Sequence, residues 1–302
     1  MEMTIVQTGN SVTFTVSDDF LVDGTGTIAG DTLLLTAGTS TGDSFTSQLV
    51  FAGNRQRFAG PYQVTNASNE ITTEGSLEGE KGGCAEYDID ANGIPAFIDH
   101  DFTQLSKIEQ ISRFRSGVGH SFTDGTEECR SMKHYFSPYE IYRENNTVEI
   151  YSPVTGTIIS VPNDGHGASL GLNNKQIHVR PDAQPAFTIV LFHCDLISSA
   201  IQAGARVVAG QVLGYGRLYY EDLAEHADNF DIAVWVNTPS GARLVSYFDT
   251  MTDLVFNDYI SRGAVSRQDF IITKEARDAD PLSCDGETFL TSGNLENWVT
   301  LD

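Results

Sequence analysis

Residues 187–214 read FTIVLFHCDLISSAIQAGARVVAGQVLG, and this stretch decides the fold class. Phe187 to Phe192 is an unbroken apolar run, rich in β-branched and aromatic side chains. Its length suits a strand buried on both faces and falls short of a helix. The run ends on His193, Cys194 and Asp195, which puts an imidazole at the strand's end. Cys194, inside apolar surroundings, reads as a buried thiol. Gly204, Gly210 and Gly214 then break the chain into tight turns around Val207 and Val212-Leu213.

The same reading extends outward in both directions. Val148 to Tyr151, Gly156 to Val161, Gln176 to Val179 and Asp231 to Val236 are further strands, and Thr250 to Ile260 has helical periodicity. Ser106-Lys107-Ile108-Glu109 has the form of a capping box. With Ile108, Ile111 and Phe114 behind it, it predicts a helix that ends near Gly117. At the other end of the chain, Val12, Phe14 and Val16 alternate with Thr13, Thr15 and Ser17, the period of a half-buried strand. Turns at Asp23-Gly24 and Gly30-Asp31 lead to Leu33-Leu34-Leu35, Phe45 to Phe51 and Tyr62-Gln63-Val64. This pattern predicts a small antiparallel barrel or sandwich and resembles lipocalin-like modules. Residues 66–83 are polar with few large apolar side chains, the composition of a linker. The expected organisation is an accessory β-rich domain over 1–75, a linker over 76–83, and a second domain over 84–302. The whole is mostly β, with a few helices. Trp298 predicts that the C-terminus docks on the body, and Arg277-Asp278-Ala279-Asp280 reads as a solvated or packed loop.

Composition narrows the partners. The 302 residues carry 41 acidic against 18 basic side chains, a formal charge of −23. Such a field repels phosphate backbones and anionic lipid surfaces, which excludes nucleic acid as the expected partner. No apolar stretch is long enough to span a membrane. Residues 1–20 lack the charged start and apolar run of a signal peptide. Cys84, Cys129, Cys194 and Cys284 show no CxxC spacing. The three outside the apolar run can pair if the protein is exported. Export to the periplasm or beyond is the expectation, with a signal segment absent from this chain; the cytoplasm is the alternative.

Chemistry concentrates at Gly119-His120-Ser121-Phe122-Thr123-Asp124, which contains H-x3-D. An imidazole and a carboxylate at that spacing can present nitrogen and oxygen to one zinc ion, and they can equally be a loop histidine bonded to a nearby aspartate. The following run, Glu127-Glu128-Cys129-Arg130-Ser131-Met132-Lys133-His134, packs reactive types beside it. There His134, Glu127 or Glu128 can ligate metal, and Lys133 or Arg130 can bind a carboxylate. His178 alternates with Ile177 and Val179 on its strand and can face a cleft, and His226 lies five positions before Asp231. His100 and His166 sit in polar turns.

Taken in order, H-x3-D, the Tyr151-to-Val161 hairpin with Pro153 and Gly156, the strand ending in His193, and the Gly204-to-Gly214 turn resemble the LytM/lysostaphin-type zinc peptidases. The resemblance covers about residues 118–236. Biotinyl and lipoyl carriers share the hairpin and the glycine turn. Here, however, Met132-Lys133 stands upstream of the first hairpin rather than on a tight turn between the halves, which argues against a carrier.

The family's H-x-H is missing. Matching its strand to Asn229-Phe230-Asp231-Ile232 puts Asn229 and Asp231 on the two histidine positions. A shift of two residues would put Asp231 and Ala233 there instead. In the first register the resemblance implies His120, Asp124 and Asp231 as metal ligands, with His193 and Asn229 as the catalytic pair. One imidazole with two carboxylates is a harder set than usual. It would hold zinc less tightly and accept manganese, calcium or magnesium more readily. The implied function is a metal-dependent hydrolase with metal-bound water as nucleophile, acting on a peptide or cell-wall polymer. The alternative is a catalytically inactive LytM-like binding or activator module.

Overall fold

The structure, a computed structural model, describes residues 3–8, 10–16, 24–39, 41–52, 57–80, 85–164, 171–220 and 225–302. The chain divides into two compact units. The first is Met1–Cys84 with Ile159–Asn163 and Gln202–Gly204, and the second is the remainder.

In the first unit, β1 (Met3–Thr8), β2 (Ser11–Val16), β3 (Gly24–Ala29), β4 (Thr32–Gly38), β5 (Ser44–Ala52), β6 (Arg57–Thr65) and β7 (Ile71–Glu80) form one sheet. Its strands lie in chain order and each neighbour is antiparallel. Alternation decides which face is dry. Val12, Phe14, Ile28, Leu33, Leu35, Phe45, Leu49, Val64 and Leu77 form the core, while Thr13, Thr25, Thr36 and Thr46 line up in register on the exposed face. The polar stretch 66–83 is not a linker throughout, because Ile71–Glu80 is strand β7. Leu77 supplies it with a buried anchor, and β6 pairs with it from Ile71 to Glu80.

The second unit centres on a larger sheet. Its strands are β8 (Ile108–Ser112), β9 (His134–Pro138), β10 (Glu149–Tyr151), β11 (Gly156–Ser160), β12 (Lys175–Pro181), β13 (Phe187–Leu196), β14 (Arg206–Val207) and β15 (Val212–Gly216). After the short hairpin β16 (Tyr219–Tyr220) and β17 (Glu225–His226) come β18 (Phe230–Thr238) and β19 (Gly241–Val245). The tail adds β20 (Cys284–Asp285), β21 (Thr288–Phe289) and β22 (Trp298–Thr300). The main path runs β14-β11-β12-β13-β18-β9-β8-β22, with β15 on β13 and β19 on β18. The helices are short: α1 (Ile89–Asn92), α2 (Tyr247–Thr250), α3 (Asp253–Ile260) and α4 (Lys274–Ala279). Among the described residues no helix is long and apolar enough to cross a membrane.

Two expectations for this unit change. The helix expected over 106–117 is a one-turn 3-10 helix at Leu105–Lys107 followed by strand β8. A bulge explains the misleading spacing. Ile108 pairs with Pro138 and Gln110 with Ser137, so Glu109 is an extra residue, and apolar positions three apart are both buried. Arg277 is fully buried on α4, donating to Arg115 O and Asn297 Oδ1, so its cluster is helical and packed rather than a loop. Of the three cysteines outside the apolar run, Cys129 and Cys284 form a disulfide, and Cys194 is a buried free thiol in line with its apolar surroundings. Trp298 docks through β22 against β8 as expected. Cys84 and His166 lie outside the described residues, as does the side chain of His226.

Candidate functional site

Strands β13, β18 and β9 bring the reactive side chains together. Val190 pairs with Ala233 and Tyr135 with Asp231, so these four share one face of the sheet. Lys133, the residue before β9, joins that face. Its Nζ stands 2.8 Å from Asp231 Oδ2 and 3.4 Å from His120 Nε2. The ammonium also lies 3.7 Å from the centre of the Phe192 ring and 4.5 Å from that of Phe122. Quadrupolar ring faces attract a desolvated cation, so the aromatic pair fixes the charge in place. Asp231 has a fully buried side chain, and neither carboxylate oxygen receives an aligned hydrogen bond from the described residues. Lys133 is therefore a countercharge by proximity more than by hydrogen bonding. Burial and the nearby Asp231 carboxylate push the Tyr135 phenol upward.

His193 owes its position to a break in β13. Lys175 pairs with Cys194 and Ile177 with Leu191, so β13 carries one extra residue there, and His193 takes a φ of 54°. A bulge of this kind re-aims a side chain. The backbone N–H of His193 donates to Asp164 Oδ2 at 2.6 Å. Its Nδ1 lies 3.2 Å from the same oxygen and 3.3 Å from Asn174 Oδ1, while Nε2 points at Asp231 Oδ1, 3.4 Å away. Behind Asp164, Gln176 Nε2 donates to Oδ1 at 2.9 Å, and Gln176 Oε1 sits 3.0 Å from His178 Nε2. Burial depresses the His178 pKa to about 4 against the pull of Asp164. A polar chain thus runs Lys133, Asp231, His193, Asp164, Gln176, His178.

His120 lies at the open side, with its side chain 41% exposed. Its Nδ1 is 3.1 Å from Ser121 O and 3.4 Å from Glu287 Oε2. Gly119 before it adopts a φ of +69°, and a Cβ there would stand 2.2 Å from the Tyr135 hydroxyl, so only glycine fits.

The expected ligand set is only partly assembled. His120 and Asp231 reach the same point, but Lys133 holds it. Asp124 has other partners: Oδ1 accepts from Thr126 N and Oγ1, and Oδ2 accepts from Leu244 N at 2.9 Å. Among the described residues no three His, Cys, Asp or Glu side chains form a metal-holding group. A zinc ion does not fit these residues as they stand, because an ammonium already balances the buried carboxylate. Asn229 is half-buried just ahead of β18 and takes no part in the contacts joining Lys133, Asp231, His193 and Asp164.

Glu128 is exposed, whereas two of the other suggested ligands are structural. His134 is buried between Ser112 O and Ser246 Oγ. Glu127 is clamped by Arg115 and Arg130, and Arg130 also pairs with Asp278 at 2.7 Å. Lys133 and Arg130 each pair with carboxylates of the chain itself, Asp231 for the first and Glu127 and Asp278 for the second. Asp164, Asn174 and Gln176 carried no signal in a single sequence, since Asn163-Asp164-Gly165 reads as an ordinary turn.

No family model matches the sequence, and no curated protein matches it. Two crystal structures of Helicobacter pylori Csd3 are similar to it. The orthorhombic form is 12% identical with a TM-score of 0.34, over 83% of this chain and 75% of that one. The hexagonal form is 11% identical with a TM-score of 0.32, over 83% and 74% respectively.

Proposed function

We propose that this chain is a LytM-like binding module that recognises a peptide-bearing cell-wall polymer without cleaving it. The observation that carries the reading is Lys133 Nζ, 2.8 Å from Asp231 and 3.4 Å from His120, at the point where the sequence pattern expects a metal. With Asp124 committed to Thr126 and Leu244, the hydrolytic set is incomplete. What a partner can touch is His120, His193 and Glu287, whose side chains are 41%, 22% and 81% exposed. The charge of −23 selects polymer strands with free amino groups over acidic ones. The Cys129–Cys284 disulfide supports an oxidising, exported setting.

A second reading, hydrolysis, is favoured by His193. Held by Asp164 on one side with Nε2 on the other, it has the arrangement of a general base. Co-sedimentation of tag-free protein with purified peptidoglycan, with release of labelled fragments followed in parallel, separates the two. Binding without release is expected. His120→Ala should weaken binding about tenfold, the loss of one contact worth roughly 1.4 kcal/mol. Fragment release that His193→Ala abolishes would establish the second reading instead.

A further inference from the structure

We propose that the hairpin β20–β21 is one wall of the binding rim and that the Cys129–Cys284 disulfide is its latch, so that the rim is assembled in the oxidised chain and comes apart on reduction by a dithiol. The inference deepens the binding reading above and rests on it for what the rim recognises. The hairpin reaches the loop that carries His120 both at its tip and at its foot. Ser121 N–H donates to Glu287 O at 2.7 Å, and Glu287 Oε2 lies 3.4 Å from His120 Nδ1. Cys284, where the hairpin starts, is bonded to Cys129 on the same loop. His120 and Glu287 both stay open, at 41% and 81% side-chain exposure, so the hairpin flanks the site and does not cover it.

The hairpin cannot hold this place by itself. Its ladder is two residue pairs, Cys284 with Phe289 and Asp285 with Thr288, and so short a hairpin is marginal in water. Ser283, Asp285, Glu287, Thr288, Leu290 and Thr291 are exposed, so little apolar surface is buried to offset the cost of ordering the chain. The segments on either side are pinned. Before the hairpin, Arg277 is fully buried and donates to Arg115 O and Asn297 Oδ1; after it, the N–H groups of Asn294 and Leu295 donate to Asp280 Oδ2. The Cys129 side is pinned as well: Glu127 is clamped by Arg115 and Arg130, and Phe122 N–H donates to Arg130 O. Opening the disulfide therefore frees the stretch from Ser283 to Thr291 and leaves its ends and the His120 loop where they are. Both cysteines are half-buried rather than enclosed. A dithiol gives up two electrons and two protons and closes to its own disulfide, while the Cys129–Cys284 bond breaks and each sulfur becomes a thiol. Glu287 then leaves the rim, which loses a carboxylate suited to a free amino group of the polymer.

The test compares the oxidised chain, the chain reduced with excess dithiothreitol, Cys129→Ser/Cys284→Ser and Glu287→Gln. Backbone hydrogen exchange is followed by mass spectrometry at short labelling times, and binding by co-sedimentation with purified peptidoglycan. Reduction, or the serine pair, should speed exchange over 283–291 and at the Ser121 amide by at least about tenfold and leave β9, β13 and β18 unchanged. Peptidoglycan binding should fall about tenfold in both, and by a similar factor in oxidised Glu287→Gln, whose hairpin should stay protected. Exchange over 283–291 that reduction leaves unchanged overturns the proposal, and so does an equal gain across β9, β13 and β18. Binding that reduction leaves unchanged or tightens overturns it too. Absence of binding by the oxidised chain refutes the proposed function alone, and the exchange measurements still decide whether the disulfide is the latch.

Discussion

Lowering the pH from about 7 to about 4.5 forces a proton toward His134, a group that the fold keeps neutral. The residue is 1% exposed on β9, between the rings of Phe114 and Phe248. Its Nδ1 lies 2.9 Å from Ser112 O and therefore carries the ring proton, so Nε2 accepts the Ser246 hydroxyl at 2.9 Å. Ser246 Oγ in turn accepts from Phe248 N, capping α2. Protonating Nε2 puts donor against donor, and the hydroxyl proton is left without a partner. Burial accordingly pushes the His134 pKa down from 6.5 to about 4. The unfolded chain binds the proton more tightly, so the stabilisation is whole above about pH 6.5 and is lost as pH falls toward 4. At roughly 1.4 kcal/mol per pKa unit, the loss between about pH 7 and 4.5 is about 2 kcal/mol. Urea unfolding followed by tryptophan fluorescence measures it in the right place, because Trp235 and Trp298 both belong to the second unit. His134→Asn should be less stable throughout but should not titrate. The gap between wild type and variant should therefore narrow by about 2 kcal/mol at the lower pH. An unchanged gap would refute the assignment of His134 as the buried neutral group.

Asp101 should titrate with the opposite sign. Burial raises its pKa to about 6 despite the hydroxyls of Tyr259 and Tyr247, so its stabilisation is full below about pH 4 and is lost as pH rises through 6. Asp101→Asn should remove this term and steepen the net acid destabilisation seen in the same unfolding assay; a pH profile no steeper than that of wild type would show that Asp101 does not hold its proton in the fold. The Cys129–Cys284 disulfide joins positions 155 residues apart. Replacing both cysteines by serine should cost roughly 2–5 kcal/mol and lower the melting temperature by several degrees, and an unshifted melt would mean that the loop is tied down by Arg115, Glu127 and Arg130 instead.

Elements whose periodicity was undisturbed were legible from sequence. Phe187 to Phe192 is a strand because an apolar run of that length has no other buried solution, and Trp298 anchored the tail for the same reason. Reading failed where one residue was added or where polarity concealed pairing. The bulge at Glu109 gives β8 a spacing between that of a strand and that of a helix, and a capping-box sequence beside it completed the false pattern. Strand β7 is mostly polar on its outer face, so only Leu77 and its pairing with β6 mark it.

At the site, Asp231 stands beside His193 and within reach of the point that His120 faces, because sheet register fixes which residues can meet. What fills the space between them was set by a residue outside the pattern. Lys133 precedes β9, a strand hydrogen-bonded directly to β18, and side-chain alternation aims it at Asp231 rather than at solvent. In sequence it is one cation in a run of charged residues, with nothing to distinguish it from Arg130, which serves Glu127 and Asp278. A buried carboxylate accepts whichever cation the fold brings to it, and a tethered ammonium has an advantage over a free ion because its association costs no translational entropy. The Asp231 carboxylate and the lysine beside it are therefore best understood as one unit. Asp231 would be costly without Lys133, and Lys133 would be costly without Asp231.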